Sequence, residues 1–234
     1  MPVRLLLLSN SRNPGGGWLD HAEAELRDFL GAPRGPLVFF PFAAVSLSFD
    51  AYTRMAKKRL AAMDYEVLGA HKMKPAQAAK AAAFVTGGGN TFRLLHEMQA
   101  RGWLPAVRRR VMAGTPYVGW SAGSNLACPT IRTTNDMPVI APKSLDAMGL
   151  LPFQLNPHYT DRTLSGHGGE TRDQRLAEFL VLNPRVPVLG VREGSLLRRE
   201  GGTLQLRLGP GARLFRAGRP KRDFKAGADL SFLL

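Results

Sequence analysis

The stretch Gly119-Trp120-Ser121-Ala122-Gly123 places a serine between two glycines, directly after the apolar, β-prone run Pro116–Val118. Gly-x-Ser-x-Gly is the pattern of a nucleophile elbow, a tight strand-to-helix turn that lifts the serine oxygen clear of the backbone. Such a serine reacts only with a base, an orienting acid and oxyanion donors supplied from elsewhere. Two histidines follow it, His158 in FQLNPHY and His167 in SGHGGE. His158 ends a short apolar strand, at the ligand-binding edge of a sheet, and is the better base; glycine-flanked His167 reads as an exposed loop residue. The acid is open at this stage. The α/β-hydrolase order of serine, acid and histidine would use Asp136 or Asp146. The order serine, histidine, acid would use Glu193, which closes the apolar run Pro187–Val191 just before Gly194. Pattern leans only modestly to Glu193.

Gly87-Gly88-Gly89-Asn90-Thr91 stands between a strand and a helix, where backbone N–H groups can approach a negative atom. A P-loop would require a Lys-Ser/Thr pair next, and Asn90-Thr91-Phe92 does not provide it. Beside a candidate nucleophile, Gly88 and Gly89 are read as one half of an oxyanion hole and the Ala122 N–H as the other. His158, Asp161, His167 and Glu170 lie close in sequence, but their spacing places no histidine pair on one helical face. Neither a metal nor a cofactor is expected. Asp20, His21 and Glu23 read as a solvated helix face, and Cys128 as a small core residue.

The elements that must position these residues alternate in type. Val3–Leu8, Leu37–Phe42, Glu66–Gly69, Ala82–Thr86 and Tyr117–Trp120 predict buried strands; Trp18–Leu30, Phe49–Met63, Thr91–Arg101, Ala106–Ala113 and Glu170–Leu182 predict helices. This alternation argues for a mainly parallel sheet with helices on both faces, in a single α/β domain spanning 1–234. Ligands bind such sheets beyond the carboxyl ends of the strands, where Ser9-Asn10, the glycine loop and Ser121 all fall. From Ser195 onward, alternation around Gly201-Gly202 and Gly209-Pro210-Gly211 predicts antiparallel hairpins.

Composition excludes some functions. No apolar run reaches the ~18 residues of a membrane span, and the opening MPVRLLLLSNS has too short an apolar core for a signal peptide. With a single cysteine, the chain is expected to be cytoplasmic. Its net charge of +14 raises the question of nucleic acid. Ten Lys and Arg lie between Arg192 and Lys225, but Phe215 and Phe224 there are too few to form a stacking platform. Attraction of acidic small substrates and a solvated, arginine-rich surface are the other readings, and no nucleic-acid partner is expected.

The blocks GWSAGSNLACPTIRTTNDMP (119–138), LLLLSNS, GGGNTF, NPHYT and GHGGETRDQR together resemble the peptidase E family of α-aspartyl dipeptidases, serine peptidase family S51. The resemblance runs from about Leu5 to Glu193. It implies a three-layer, flavodoxin-like α/β sandwich similar to class I glutamine amidotransferases, with the hairpins added at the C-terminus. It also implies a triad in the order Ser121, His158, Glu193, and hydrolysis of Asp-Xaa dipeptides through an acyl-enzyme. A cyanophycinase-like peptidase taking longer acidic peptides is the alternative on the same fold. Asp136, in TTND, matches an acidic family position and is read as a binding or supporting residue beside Asn90. An aspartyl side chain needs a cation, expected to be Arg172 with Arg132 second. Arg192 departs from the pattern, since a proline is expected before the acid. The partner is a small acidic dipeptide, and the protein is expected to be a monomer or homodimer.

Overall fold

The computed structural model describes residues 2–32, 35–162, 166 and 168–234. Five strands carry the parallel part of the main sheet: β1 (Arg4–Leu8), β2 (Leu37–Phe40), β3 (Val67–Gly69), β4 (Ala83–Thr86) and β5 (Tyr117–Trp120). They are nearly all apolar because both of their faces are covered. Alternation sorts their side chains between two cores. Leu5, Leu7, Phe40, Phe84 and Tyr117 face α3 (Thr91–Ala100), α4 (Trp103–Met112) and α5 (Ala122–Leu126). Leu6, Leu8, Phe39, Val118 and Trp120 face α1 (Glu23–Leu30) and α2 (Phe49–Ala61). The expected three layers are present.

Helix α1 starts five residues later than periodicity predicts. Leu19 takes a left-handed conformation (φ 63°) and its N–H bonds the Ser11 carbonyl at 2.7 Å, so the chain turns before the helix begins. Ala22, Leu26 and Phe29 are still buried, as the apolar stripe requires.

A second sheet contains β6 (Gln154–Tyr159), β7 (Val188–Arg192), β10 (Ala212–Phe215) and β11 (Arg222–Phe224), in the order β11-β10-β7-β6. Helix α6 (Arg172–Leu182) covers its outer face through Leu176 and Leu180, which pack with Tyr159, Val188 and Phe215. Its inner face, with Leu155, Leu189 and Leu214, joins the larger core. The C-terminal hairpins are found but serve different sheets. Strands β8 (Leu196–Glu200) and β9 (Thr203–Arg207) extend the main sheet, giving β3-β2-β4-β5-β1-β8-β9, with β8 and β9 antiparallel to their neighbours. Leu208 and Gly209, both at positive φ, then turn the chain across to β10. The carboxyl ends of β1, β4 and β5 therefore meet the ends of β6 and β7 from a separate sheet. Among the described residues, no helix is long and apolar enough to cross a membrane.

Candidate active site

Ser121 follows β5 and precedes α5 with φ 53° and ψ −113°, a backbone state that costs a non-glycine residue strain. The surrounding chain over-determines it. The Ser121 N–H bonds the Leu8 carbonyl at 3.1 Å, the Ser121 carbonyl receives the N–H groups of Ser124 and Asn125, and the Ser124 hydroxyl donates to Leu8 at 2.7 Å. Gly123 must be glycine because a Cβ there would collide with the Thr86 carbonyl. The elbow read from the sequence is the one built.

His158 Nε2 lies 3.0 Å from Ser121 Oγ, and its Nδ1 lies 2.6 Å from Glu193 Oε1. An ionised carboxylate only accepts, so Glu193 holds the proton on Nδ1 and leaves Nε2 free to accept from the serine hydroxyl. The imidazole reaches this place through an irregularity in β6. Register with β7 shifts between Asn156 and Tyr159, and His158 itself has φ 55°. Its N–H donates to Ser9 Oγ at 2.9 Å, and the Ser9 hydroxyl donates to the Val191 carbonyl at 2.8 Å. Ser9, at the end of β1, thus fastens the histidine strand to the acid strand. Asn10 adds to this by accepting the Gly194 N–H at 2.7 Å, one residue after the acid.

Gly88 sits against the serine, since a Cβ on it would come within 3.2 Å of Ser121 Cβ. The flanking N–H groups of Gly87 and Asn90 are taken by Phe40 and Ala43 carbonyls. Those of Gly88, Gly89 and Ala122 have no hydrogen-bond acceptor among the described residues. Tyr52 donates to the Gly88 carbonyl at 3.2 Å and accepts from Trp120 Nε1 at 3.3 Å. Because C=O and N–H point in opposite directions across a trans peptide, anchoring this carbonyl also aims the Gly89 N–H. Burial pushes the Tyr52 phenol up to about 12, so it stays a donor. A cleft of about 540 Å³ opens over Ser121 and His158, walled by Ala43–Leu47, Tyr52 and Gly88–Asn90.

Asp136 is placed away from the imidazole nitrogens. Its Oδ2 accepts from the Thr91 N–H at 2.8 Å and the Thr91 hydroxyl at 2.5 Å, with the Thr134 hydroxyl at 3.0 Å. It therefore caps the first turn of α3, immediately after the glycine loop. Asn90 lines the cleft, but its side chain accepts from the Arg93 N–H and donates to the Met137 carbonyl. Asp146 forms an isolated bridge with Thr130, apart from the triad. His167 lies outside the described residues.

Arg172 opens α6 half-buried, bonding Asn135 Oδ1 through Nη1 while its Nε is buried without a partner. Burial, reinforced by nearby Arg175, lowers its pKa, as expected of a cation lacking an anion. Among the described residues, no carboxylate lies within ion-pair distance of it. Asn135 donates to the Pro157 carbonyl at 2.8 Å, which ties this cation through Asn135 to the residue before the histidine; Arg172 itself does not line the cleft over Ser121. Arg132 is exposed, and among the described residues only its backbone N–H is engaged, by the Thr130 hydroxyl.

A hydroxyl, imidazole and carboxylate in line, beside three unused N–H groups, form an arrangement suited to acyl transfer. The family model of peptidase family S51 matches residues 5–207. The chain belongs to peptidase family S51. It is 44% identical to a peptidase E from Nostoc sp., covering 100% of this chain and 98% of the relative. It is 47% identical to a peptidase E from Shewanella amazonensis, with both chains covered in full. Among solved structures, a peptidase from an acI-B1 Actinobacterium superposes with a TM-score of 0.74 at 14% identity, covering 99% of this chain and 98% of that one. A putative peptidase E from Listeria monocytogenes gives 0.69 at 20% identity, over 89% of this chain and 100% of that one. These last two likenesses speak for the fold alone.

Several residues of the site were not singled out from sequence. The sequence puts Ser9 and Asn10 at the ligand-binding edge of the sheet but gives them no role, and shows Asn135 only as part of TTND. Tyr52 carried no signal at all, being one apolar-face residue of an amphipathic helix.

Proposed function

We propose that the protein is an α-aspartyl dipeptidase of the peptidase E type, a serine hydrolase that cleaves Asp-Xaa through an acyl-enzyme on Ser121. The observation that carries this is the hydrogen-bonded series Ser121 Oγ, His158 Nε2, His158 Nδ1 and Glu193, at 3.0 and 2.6 Å, in a full-length relative of peptidase E enzymes.

His158 takes the Ser121 proton as Oγ attacks the peptide carbonyl carbon. Glu193 holds the tautomer and stabilises the imidazolium. The carbonyl oxygen, gaining charge, is received by the N–H of Ala122 and by Gly88 or Gly89. One such donor is worth about 3–4 kcal/mol, because it needs no reorganisation as charge develops. The imidazolium then protonates the leaving amine, the C–N bond breaks, and the Xaa amino acid departs. Water, deprotonated by His158, attacks the acyl ester and releases aspartate.

Arg172 is the cation that receives the aspartyl side chain. A half-buried arginine without an anionic partner is only partly hydrated and gains a charge-assisted pair when an acidic substrate binds. Asn135 orients it. Asp136 and Asn90 act from behind, by holding the α3 turn that carries the glycine loop. Arg132, with no side-chain contact to the cleft, is left with at most long-range attraction of the anion. A lone, buried cysteine calls for no oxidising compartment, in keeping with a cytoplasmic enzyme.

Ser121→Ala tests the assignment. Hydrolysis of Asp-Leu should fall to background while the thermal unfolding midpoint stays within a few degrees of wild type. Wild-type turnover by the purified variant would refute the nucleophile.

A further inference from the structure

The basic C-terminal hairpin, β10–β11, has no evident place in the chemistry, yet its side chains reach beneath the site. Arg213, on β10, pairs through Nε and Nη2 with Asp223 on β11, at 3.0 and 2.7 Å. The same Asp223 accepts from Arg192 Nη2 at 2.7 Å, and Asp161 accepts from that atom at 3.0 Å. Arg213 Nη1 donates to Tyr159 Oη at 3.1 Å, and the Tyr159 hydroxyl donates to Asp173 at 2.5 Å. Lys221 completes the group with a 2.7 Å bond to Asp173. The guanidinium groups of Arg192 and Arg213 both lie over the Tyr159 ring.

The sequence positions of these partners matter. Tyr159 follows His158, Asp173 follows Arg172, and Arg192 precedes Glu193. Each of the three residues assigned to the triad's base, its acid and the substrate cation has a direct chain neighbour in one charge cluster. The cluster is balanced, with Arg192, Arg213 and Lys221 against Asp161, Asp173 and Asp223. The two arginine side chains are only 15% and 18% exposed, so the ties are stiffer than those of open surface pairs. Hydrogen bonds from Arg213 and then Arg192 hold the Asp223 carboxyl down at about 2, so the carboxylate that joins the two arginines stays charged across the neutral range.

We infer that Arg213 and Asp223 are positioning residues: by clamping Arg192, Tyr159 and Asp173 they fix Glu193, His158 and Arg172 relative to one another. A proline before the acid would stiffen that turn through its own ring; here Arg192 achieves stiffness through its guanidinium and the hairpin that meets it. The hairpin thereby supports the catalytic apparatus of this chain, although none of its residues lines the cleft over Ser121. The inference rests on the assigned roles of Ser121, His158, Glu193 and Arg172.

The test compares wild type with Arg213→Met, Asp223→Asn and Tyr159→Phe, using Ser121→Ala as control. kcat per titrated active site and KM are measured for Asp-Leu, together with the rate of labelling by a small fluorophosphonate that lacks an aspartyl group. Misplacing reacting groups by about 1 Å costs up to ~100-fold. Asp223→Asn and Arg213→Met should therefore lower kcat/KM by about 10–100-fold, with KM raised and labelling slowed. Tyr159→Phe, which removes the hydroxyl's bonds to both Asp173 and Arg213 but keeps the ring under the two guanidinium groups, should raise KM about tenfold and slow labelling less than Arg213→Met does, since one charge-assisted bond is worth about that factor. A purely structural role would instead lower the titratable fraction and leave KM and kcat per site unchanged, which overturns the inference. Should Arg213→Met fail to fold, the near-isosteric Asp223→Asn and Tyr159→Phe decide alone. Activity in Ser121→Ala would point to the nucleophile assignment as the error rather than to this one.

Discussion

Glu193 and Asp136 are two of the three acids that chain order could pair with His158, and their substitutions should behave in opposite ways. Glu193 Oε1 lies 2.6 Å from Nδ1, and its side chain is 52% exposed. In Glu193→Gln the amide can turn its NH2 toward Nδ1 and favour the tautomer that cannot accept the serine proton. In a buried triad that change costs about 10⁴ in kcat. Here solvent can replace part of the lost partner, so the expected loss is about 10²–10⁴, or about 3–5 kcal/mol of transition-state stabilisation. The fold should be untouched, because the exposed glutamate supports no other side chain. Asp136 instead satisfies the N–H and hydroxyl of Thr91 and the hydroxyl of Thr134. Asp136→Ala leaves a part-buried helix N–H and two hydroxyls to find water, a cost of about 2–3 kcal/mol in stability. Asp136→Asn keeps an accepting oxygen and should lose less, with turnover reduced only as far as the glycine loop shifts. The assay is kcat and KM for Asp-Leu on each variant, alongside urea unfolding. If Glu193→Gln keeps wild-type kcat while Asp136→Asn abolishes turnover in a fully stable protein, the triad acid is Asp136 and the present argument is wrong.

Three further outcomes follow from the same geometry. Arg172→Met should raise KM for Asp-Leu by tenfold or more while sparing hydrolysis of an uncharged Ala-Leu analogue; equal losses on both would remove Arg172 from side-chain recognition. Tyr52→Phe frees the Gly88 carbonyl and should lower kcat by about 3–10-fold with KM little changed, since one neutral hydrogen bond is worth about 1 kcal/mol; an unchanged kcat would mean the loop holds its shape without it. Stability should fall on acidification. Asp161 is lowered by its bond from Arg192 and Asp223 by Arg213, to about 2; at Asp173 burial alone would raise the pKa, but Lys221 and Tyr159 outweigh it. Because these folded-state pKa values lie below the unfolded one, the stabilisation is complete above about pH 4 and is lost as pH falls toward about 2. Unfolding midpoints measured from pH 5 to pH 2 should show a steeper acid limb for wild type than for Arg213→Met, and matching limbs would count against the cluster.

Much of this protein is legible in its residues one after another. Short apolar runs cannot leave water except as strands covered on both faces, so Leu5–Leu8, Leu37–Phe40 and Tyr117–Trp120 had to enter a sheet walled by helices. A serine between Gly119 and Gly123, directly after an apolar strand, reads as an elbow, because flanking glycines permit so tight a turn. Such features depend on local backbone chemistry and a period of two or 3.6, which a linear text carries. The acid is different. Glu193 and Asp136 are both polar residues near apolar segments, and only the parallel pairing of β6 with β7 in the second sheet brings one of them to 2.6 Å from the imidazole. The same holds for Ser9, which joins His158 and Val191 from positions 149 and 182 residues away along the chain. It holds also for the basic tail, whose charges read as surface until β10 and β11 lay them under Tyr159. Nothing local distinguishes a solvated arginine from a clamped one; the difference is the set of carboxylates that distant segments deliver to it, and only the tertiary structure decides that.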